Sequence, residues 1–570
     1  MTRGNQPRQR VRPRTARRQE LRQAIKDAGR AERRGKQVPP TVAGYKTALA
    51  TRGFDGVAEA LISRHNQRIG RFEDNAMLLQ SVAMPVLFSA LRARSILDDL
   101  GASRGRPPSF SGRTWPDHLA WGIDSISALV RLLIAMQPVG AALLARTQLE
   151  RWSSNLEHNS DLVQAAGEDT TDWLTRLWAS PGAPGPVRTR VVGQIYSDLS
   201  ELLHGRGRLM PLVWLDVEDV RAAPSSDHVQ LMDTITDAAV VNWCHIRACI
   251  AAAAEDEGFD AHAKTASMLA PIYRTQSWTR NIKPTIVPLI PSHFAGLDGA
   301  LGAMEAGYLK VMSALNRGRA PVEPSELWPL FAFGDQRYRA LRTARWAFEQ
   351  ERKMFGPQFD ERAIENLATE AVLAGEMAAM LATWLRADIE SRYPAAAFAT
   401  CASALRSAHW LWMEDDDRAM GCLRCVIEQL ARARAWRLKP ERALKLEQSA
   451  ATTPRDWLER SGWRRMGIMS RALGEFAHGS TSTNPNLARN ALVELQDNTD
   501  RSESKFTGRT HAITVLTFMV SIECAAWVKD FDVELGEAYR NVIRINEQRA
   551  DAATEALMNR AWARRNIPLR

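Results

Sequence analysis

From Thr41 onward, apolar residues return at spacings of three and four almost everywhere, the period of one face of an α-helix. FDGVAEALISRHNQRI from Phe54, SALVRLLIAM from Ser127, DTITDAAVVNWCHIRACIAAAAEDE from Asp233 and RALRTARWAFEQERKMF from Arg339 all follow it. Alternating runs, the mark of a half-buried strand, are nearly absent, so the pattern predicts an all-α protein. Gly and Pro mark loops at 101–117 and 180–188. Residues 259–361 read as extended connectors around one or two helices, and 532–565 as a final helix ending in Arg560, Arg564, Arg565 and Arg570.

The order of polar residues then repeats. Arg146 and Glu150 in ARTQLERW are followed by Asp172-Trp173-Leu174 and by LSELLHG, which ends in His204-Gly205. Arg424 and Glu428 in RCVIEQLARARAW are followed by Asp456-Trp457-Leu458 and by LGEFAHG, which ends in His478-Gly479. These landmarks, with Cys249 and Cys524, recur at offsets of 274 to 284 residues. Upstream, the segments beginning at Asn75 and Asn366 share an apolar pattern and a charged exit. Such drift suits a duplicated domain with small insertions. The expected organisation is therefore a disordered arm (1–40), a first helical bundle (41–258, repeat unit 72–258), a bridge (259–361), a second bundle (362–533) and a C-terminal helix with a basic tail (534–570).

Composition adds a location for the charge. The chain of 570 residues is 45% hydrophobic and 25% charged, as in globular proteins of more than one domain. Its net charge of +10 resides in the first 36 residues, which carry thirteen basic and three acidic side chains and leave the remainder formally neutral. A flexible cationic arm gains affinity for polyanions by releasing their counterions. Arg8, Arg10, Arg12, Arg14, Arg17, Arg18, Arg33 and Arg34 are thus the expected contacts to RNA or DNA; a solubilising tail is the alternative. No apolar stretch follows the arm as in a secretory signal, and the apolar segment 512–528 is interrupted by Glu523, so no membrane is expected and the cytoplasm is the expected location.

The six cysteines fall mostly in helix-like apolar segments, which suits buried thiols in a reducing compartment. Cys422 and Cys425 form a CxxC without a second CxxC or a suitable His pair, so core cysteines are preferred to a metal or redox pair. Glu414, Asp415, Asp416 and Asp417 point around a helix rather than converging, as at a solvated helix start. No P-loop, GxGxxG turn, GxSxG elbow or HExxH helix occurs, and neither metal nor cofactor is expected. Trp beside Arg, in Arg345-Trp346 and Trp463-Arg464-Arg465, suits packing more than base stacking.

Arg146 with Glu150, and Arg424 with Glu428, sit one turn apart on helices with apolar flanks, which predicts buried charge that needs partners. His204 and His478 are the natural candidates, each followed by Gly in the place of a helix C-cap. One reading makes this network of Arg146, Glu150, His204, Arg424 and Glu428 structural. The other makes the histidine a general acid or base and an arginine a phosphate holder, as in RNA cleavage through the 2′-hydroxyl. Arg471 and His478, two turns apart on one helix, favour the second set; the first has Ser197 where Arg471 would stand.

The Arg-x3-Glu helix followed by Tyr196, Leu199, Ser200, His204 and Gly205, together with RALGEFAH from Arg471 to His478, resembles uncharacterised bacterial all-helical domains related in pattern to abortive-infection and HEPN-like proteins. The HEPN signature is an Arg, four to six residues, and a His on one helix. The resemblance implies helical bundles, metal-independent ribonuclease chemistry at Arg471 and His478, pairing of two bundles as an internal pseudo-dimer, and a part in defence or toxin-like regulation. Homo-oligomerisation stays open. Against the ribonuclease stands a non-enzymatic scaffold or nucleic-acid-binding protein whose Arg, Glu and His sets only fix packing.

Overall fold

The computed structural model of the chain describes residues 40–70, 137–158, 162–179, 192–217, 361–388, 391–412, 416–449, 451–479, 484–495, 509–542, 547–566 and 568–569, with single positions 125, 128, 129, 132, 349, 353 and 356. Among these residues regular structure is helical and no strand occurs, so the chain is all-α. The basic arm with Arg8, Arg10, Arg12, Arg14, Arg17, Arg18, Arg33 and Arg34 lies outside the described residues. So do both Gly/Pro insertions, Cys244, Cys249, the Asn75 segment, Trp346 and nearly all of the 259–361 connector.

In chain order the helices are α1 (Pro40–Gly70), α2 (Pro138–His158), α3 (Thr170–Trp178), α4 (Val192–Leu203), α5 (Met210–Val217), α6 (Glu361–Arg386) and α7 (Arg392–Trp412). They continue with α8 (Asp416–Leu438), α9 (Pro440–Glu447), α10 (Pro454–Arg460), α11 (Gly467–Ala477), α12 (Pro485–Glu494), α13 (Arg509–Lys529), α14 (Val533–Val542) and α15 (Glu547–Ala563). A short 3-10 turn, Arg464–Met466, precedes α11.

The centre is α7, because its sequence offers no polar face to water. From Pro394 to Trp412 nearly every residue is buried, and most are Ala, Ser, Thr or Cys, with Phe398, Leu405, Arg406, Trp410, Leu411 and Trp412 as the large buried ones. A helix without a polar stripe belongs inside, and its small side chains let α6 and α8 run alongside it while α2, α5 and α13 also reach it. Around this axis α2 packs on α3 and α4, and α8 packs on α9, α10 and α11. The buried apolar residues form one continuous core from Tyr45 and Leu61, through Leu144 and Leu199, to Val426, Leu473 and Tyr539.

Ala512–Lys529 within α13 is the one described stretch long and apolar enough to cross a membrane, with mean hydropathy 1.5, and 67% of it is buried inside the fold. Glu523 explains how a carboxylate survives there. It accepts hydrogen bonds from Arg434 Nη1 at 2.8 Å and Arg437 Nη2 at 3.0 Å, both from α8. Over 532–565, where one helix is expected, the described residues form α14 and α15. Residues 543–546 fall outside the described set, α14 packs on α13 and α1, and α15 packs on the 3-10 turn and α11.

Cys401, Cys422, Cys425 and Cys524 are buried free thiols, and burial pushes each thiol upward. Glu414 and Asp415 lie outside the described residues, while Asp417, at the start of α8, pairs with Arg489 of α12. Trp463 is buried with the Arg434 guanidinium 5.1 Å from its ring centroid, a packing role rather than a stacking surface.

A second polar feature had no signal in the sequence. Five charged or ionisable side chains from four helices meet inside the core: Arg64 and His65 from α1, Asp216 from α5, Glu376 from α6 and Arg406 from α7. Arg406 reaches Glu376 Oε1 at 2.7 Å and Asp216 Oδ1 at 3.2 Å; His65 Nδ1 lies 3.3 Å from Glu376 Oε1 and Arg64 Nε 3.5 Å from Glu376 Oε2. Arg64 also donates to the carbonyl of Val217. Burial works against the charge of Arg406, and Glu376 and Asp216 outweigh it. Glu376 is the shared anion, so Glu376→Ala should leave two guanidinium groups without it. The expected loss is about 3–5 kcal/mol, as for a buried pair deprived of one partner; a urea-denaturation midpoint unchanged from wild type would contradict this.

Candidate functional site

The two recurrent sets come together crosswise. On α2, Arg146 Nε donates to Glu150 Oε1 at 3.0 Å, one turn along the helix; on α8, Arg424 Nη1 donates to Glu428 Oε2 at 3.1 Å. The histidine that completes each pair comes from the other set. His204 Nδ1, at the end of α4, lies 2.7 Å from Glu428 Oε1. His478 Nδ1, at the end of α11, lies 2.9 Å from Arg146 Nη2 and 3.4 Å from Glu150.

The exchange extends to the backbone. Thr147, the residue after Arg146, sets its single hydroxyl proton between Leu143 O of its own helix at 2.8 Å and the carbonyl of Ala477 at 3.1 Å. Cys425, the residue after Arg424, donates from Sγ to the carbonyl of Leu203 at 3.2 Å. Each therefore holds the residue just before the opposite histidine. Gln429 Nε2 adds a bond to Leu203 O at 3.0 Å, Arg432 Nη1 one to His204 O at 2.9 Å, and Gly479 N one to Glu150 Oε2 at 2.8 Å. Sequence reasoning missed Thr147, Gln429 and Arg432. The only available signal was that Thr147 and Cys425 occupy the same place after their arginines and both can donate.

The two glycines differ, against the expectation that both cap a helix. Gly205 does so, with φ +66° and its N–H on the carbonyl of Leu202 at 2.9 Å. Gly479 does not: His478 before it is extended, and Gly479 has no positive φ. It is glycine because a Cβ there would stand 2.1 Å from the carbonyl oxygen of Thr147. α2 passes too close for any side chain.

The floor of the site is charged and the rim is open. Side-chain exposure is 10% for Arg146 and 14% for Glu150, against 38% for His204 and 46% for His478. Burial alone would raise the pKa of Glu428, but His204, Arg424, the hydrogen bond from His204 and the more distant Arg146 outweigh it and hold it at about 2. Burial likewise opposes ionisation of Glu150, and Arg146 with the Gly479 N–H holds it far below the usual carboxylate range. Tyr196 on α4 donates to Glu150 Oε1 at 3.0 Å, and burial with that carboxylate pushes its phenol up to about 12. Arg146 stays charged against burial through Glu150, Tyr196 and Glu428. Since Arg146 and Glu428 act on each other, the two halves form one electrostatic cluster.

The partners also set the neutral tautomers. Ionised Glu428 can only accept, so His204 carries its proton on Nδ1 and leaves the Nε2 lone pair free. Arg146 can only donate and is the nearer neighbour of His478, so that ring accepts at Nδ1 and carries its proton on Nε2. Arg471 is not part of the cluster. It is exposed, and its guanidinium donates to the carbonyl of Arg565 beyond α15. Asp172 and Asp456 occupy the first turns of α3 and α10, where a carboxylate meets unpaired N–H groups, above buried Trp173, Leu174, Trp457 and Leu458. That recurring triplet builds helix starts. Comparison with protein-family models, curated proteins and solved structures finds no match.

Two outcomes test this arrangement. A carboxylate whose folded pKa is depressed adds stability that is fully present above its unfolded value, about 4.3, and lost as pH falls through the folded one. Glu428→Gln removes that contribution, so its gap in melting temperature from wild type should narrow between about pH 5 and pH 2.5; a constant gap would refute the assignment. Gly479→Ala should lower the melting temperature, whereas Gly467→Ala, where nothing lies within 4 Å of the new Cβ, should leave it unchanged in the same thermal scan.

Proposed function

We infer that the protein is a cytosolic, nucleic-acid-associated helical protein that cleaves RNA without a metal, at a composite site made by two duplicated helical units paired as an internal pseudo-dimer. The observation that carries this is the reciprocal exchange: each half-exposed histidine is held by the buried ion pair of the other set, His204 by Glu428 and His478 by Arg146 beside Glu150. A carboxylate behind an exposed imidazole is the arrangement that readies a general base. In the cleavage, His204 Nε2 takes the proton of a 2′-hydroxyl, and Glu428 stabilises the imidazolium that forms. The 2′-oxygen bonds to phosphorus, the bond from phosphorus to the 5′-oxygen breaks, and the leaving oxygen takes that proton back from His204. The products are a 2′,3′-cyclic phosphate and a 5′-hydroxyl end.

His478 Nε2–H and Arg424 face the phosphoryl oxygens as donors in this scheme. Among the described hydrogen bonds Arg424 uses Nη1 alone, which leaves it donors to give. The histidines share the chemistry, and Arg471 is moved from it to the strand beyond. The resemblance to HEPN-like domains supports the reaction class and a role in defence or toxin-like regulation, and the basic arm supports a polyanionic substrate.

A non-enzymatic clasp is the second reading. Glu150 favours it, since its two oxygens already receive Arg146, Tyr196 and the Gly479 N–H. Purified protein is expected to cut single-stranded RNA in EDTA and leave cyclic-phosphate ends. His204→Ala should lower the rate by about 10²- to 10⁴-fold, the usual worth of a positioned base, with the far-UV spectrum retained. Cleavage that persists in His204→Ala, or absence of cleavage together with a lowered melting temperature in His204→Ala and His478→Ala, would replace the ribonuclease with the clasp.

A further inference from the structure

The C-terminal end of α15 gathers positive charge that the rest of the fold does not neutralise. Arg471 from α11 and Arg560, Arg564 and Arg565 from α15 and its exit lie there, with Glu494 opposite; the 3-10 turn that packs on α15 adds Arg464 and Arg465, the latter on Glu555 at the middle of the helix. Arg465 is paired with Glu555 at 2.5 Å and Arg564 with Glu494 at 3.4 Å, while Arg560 Nε donates to the carbonyl of Leu495 at 2.8 Å. Arg464, Arg471 and Arg565 have no carboxylate within ion-pair distance among the described residues, and all three are exposed.

Local structure explains how they are held. Where the chain leaves α15 the backbone N–H of Arg565 turns back to Trp562 O at 3.3 Å, and two arginine side chains add bonds to the carbonyls of this exit. Arg471 donates to Arg565 O, and Arg565 Nη1 donates to Trp562 O at 2.9 Å. Folding back in this way places the Arg565 guanidinium 4.5 Å from the Trp562 ring centroid. Among the described residues Trp562 is one of the few large apolar side chains left exposed, at 40%. Arginine uses one nitrogen for each cap and keeps others for a ligand.

We propose that this surface, Trp562 and Arg565 with Arg471 beside them and Arg464 on the adjoining 3-10 turn, binds a single-stranded nucleic acid. The ring gives a base a face to stack on, the guanidinium adds a cation–π partner, and the neighbouring arginines follow the phosphates. Charge complementarity selects a polyanion, and the exposed indole selects an unpaired strand, because bases stacked in a duplex offer it no face. Arg471 then links the two sites: it lies two turns before His478 on the helix that carries that histidine, so a strand held here runs toward the exchanged histidines. The proposal rests on the nucleic-acid reading above but not on catalysis.

The test uses the full chain and labelled 2′-O-methyl oligouridine, which lacks the 2′-hydroxyl and cannot be cut through it, with oligothymidine and a short duplex as the other arms. Binding is followed by anisotropy. Wild type should bind both single strands more tightly than the duplex, and Trp562→Ala should weaken single-strand binding at least about fivefold while Trp562→Phe restores most of it. Arg464→Ala with Arg471→Ala should lower the slope of log affinity against log salt by about 0.7 for each phosphate that is no longer neutralised. Since Trp562 is exposed, an unchanged far-UV spectrum will show that the variant folds. Unaltered affinity and slope in all these variants would overturn the surface and leave binding to the basic arm. Failure of wild type to bind any strand would overturn both this site and the nucleic-acid reading, whereas binding without cleavage of ordinary RNA would uphold this site and remove only the ribonuclease.

Discussion

Two carboxylates set in an apolar interior, Glu150 and Glu428, have to be neutralised where they stand, and neither is neutralised by its own helix alone. An arginine one turn away supplies the first cation. The rest comes from the far set, as the Gly479 N–H for Glu150 and as His204 for Glu428. Leaving a charge buried and unpaired costs several kcal/mol, so the helices that carry these groups cannot separate without exposing or stranding them. Thr147 and Cys425 reinforce the same crossing through the carbonyls of Ala477 and Leu203.

This constraint lies beside a second one of the same kind. Glu376, fully buried, draws Arg64, His65 and Arg406 together, and Arg406 adds Asp216. Arg406 of this second knot belongs to α7, whose small side chains let five other helices approach it. Apolar packing supplies most of the driving force for such a core, yet it is tolerant of sliding. Ion pairs with fixed donor directions are not, which is how helices rich in alanine acquire one register.

The consequences for chemistry follow from exposure rather than from identity. The carboxylates are sunk and the imidazoles stand at the rim, so each histidine is oriented from behind and open in front. The halves are not equivalent: His204 faces a carboxylate alone, while His478 is nearest to an arginine that itself serves Glu150. The asymmetry that the sequence suggested, Arg471 against Ser197, leads elsewhere, to the carbonyl of Arg565 and the basic end of α15.

Helical class was legible in the chain because a 3.6-residue period is a local property, and so were buried cysteines and the short helix starts at Asp172 and Asp456. Arg146, Glu150, Arg424, Glu428, His204 and His478 could be chosen because charges on apolar flanks demand partners wherever they are. Which partner each would take could not be read, since the pairing joins residues more than 220 positions apart and own-set and crossed pairing satisfy the same local pattern. The same holds for Glu376 and Arg406, each an isolated charge in its helix. Gly479 is the sharpest case. Its position after a helix predicted a left-handed cap, and only the tertiary structure, by laying α2 within 2.1 Å of where its Cβ would stand, decided that the glycine makes room for a neighbour. Sequence determines which groups must be neutralised and which faces must be hidden; close approach of distant helices decides by what, because steric fit and hydrogen-bond direction are settled only when the surfaces meet.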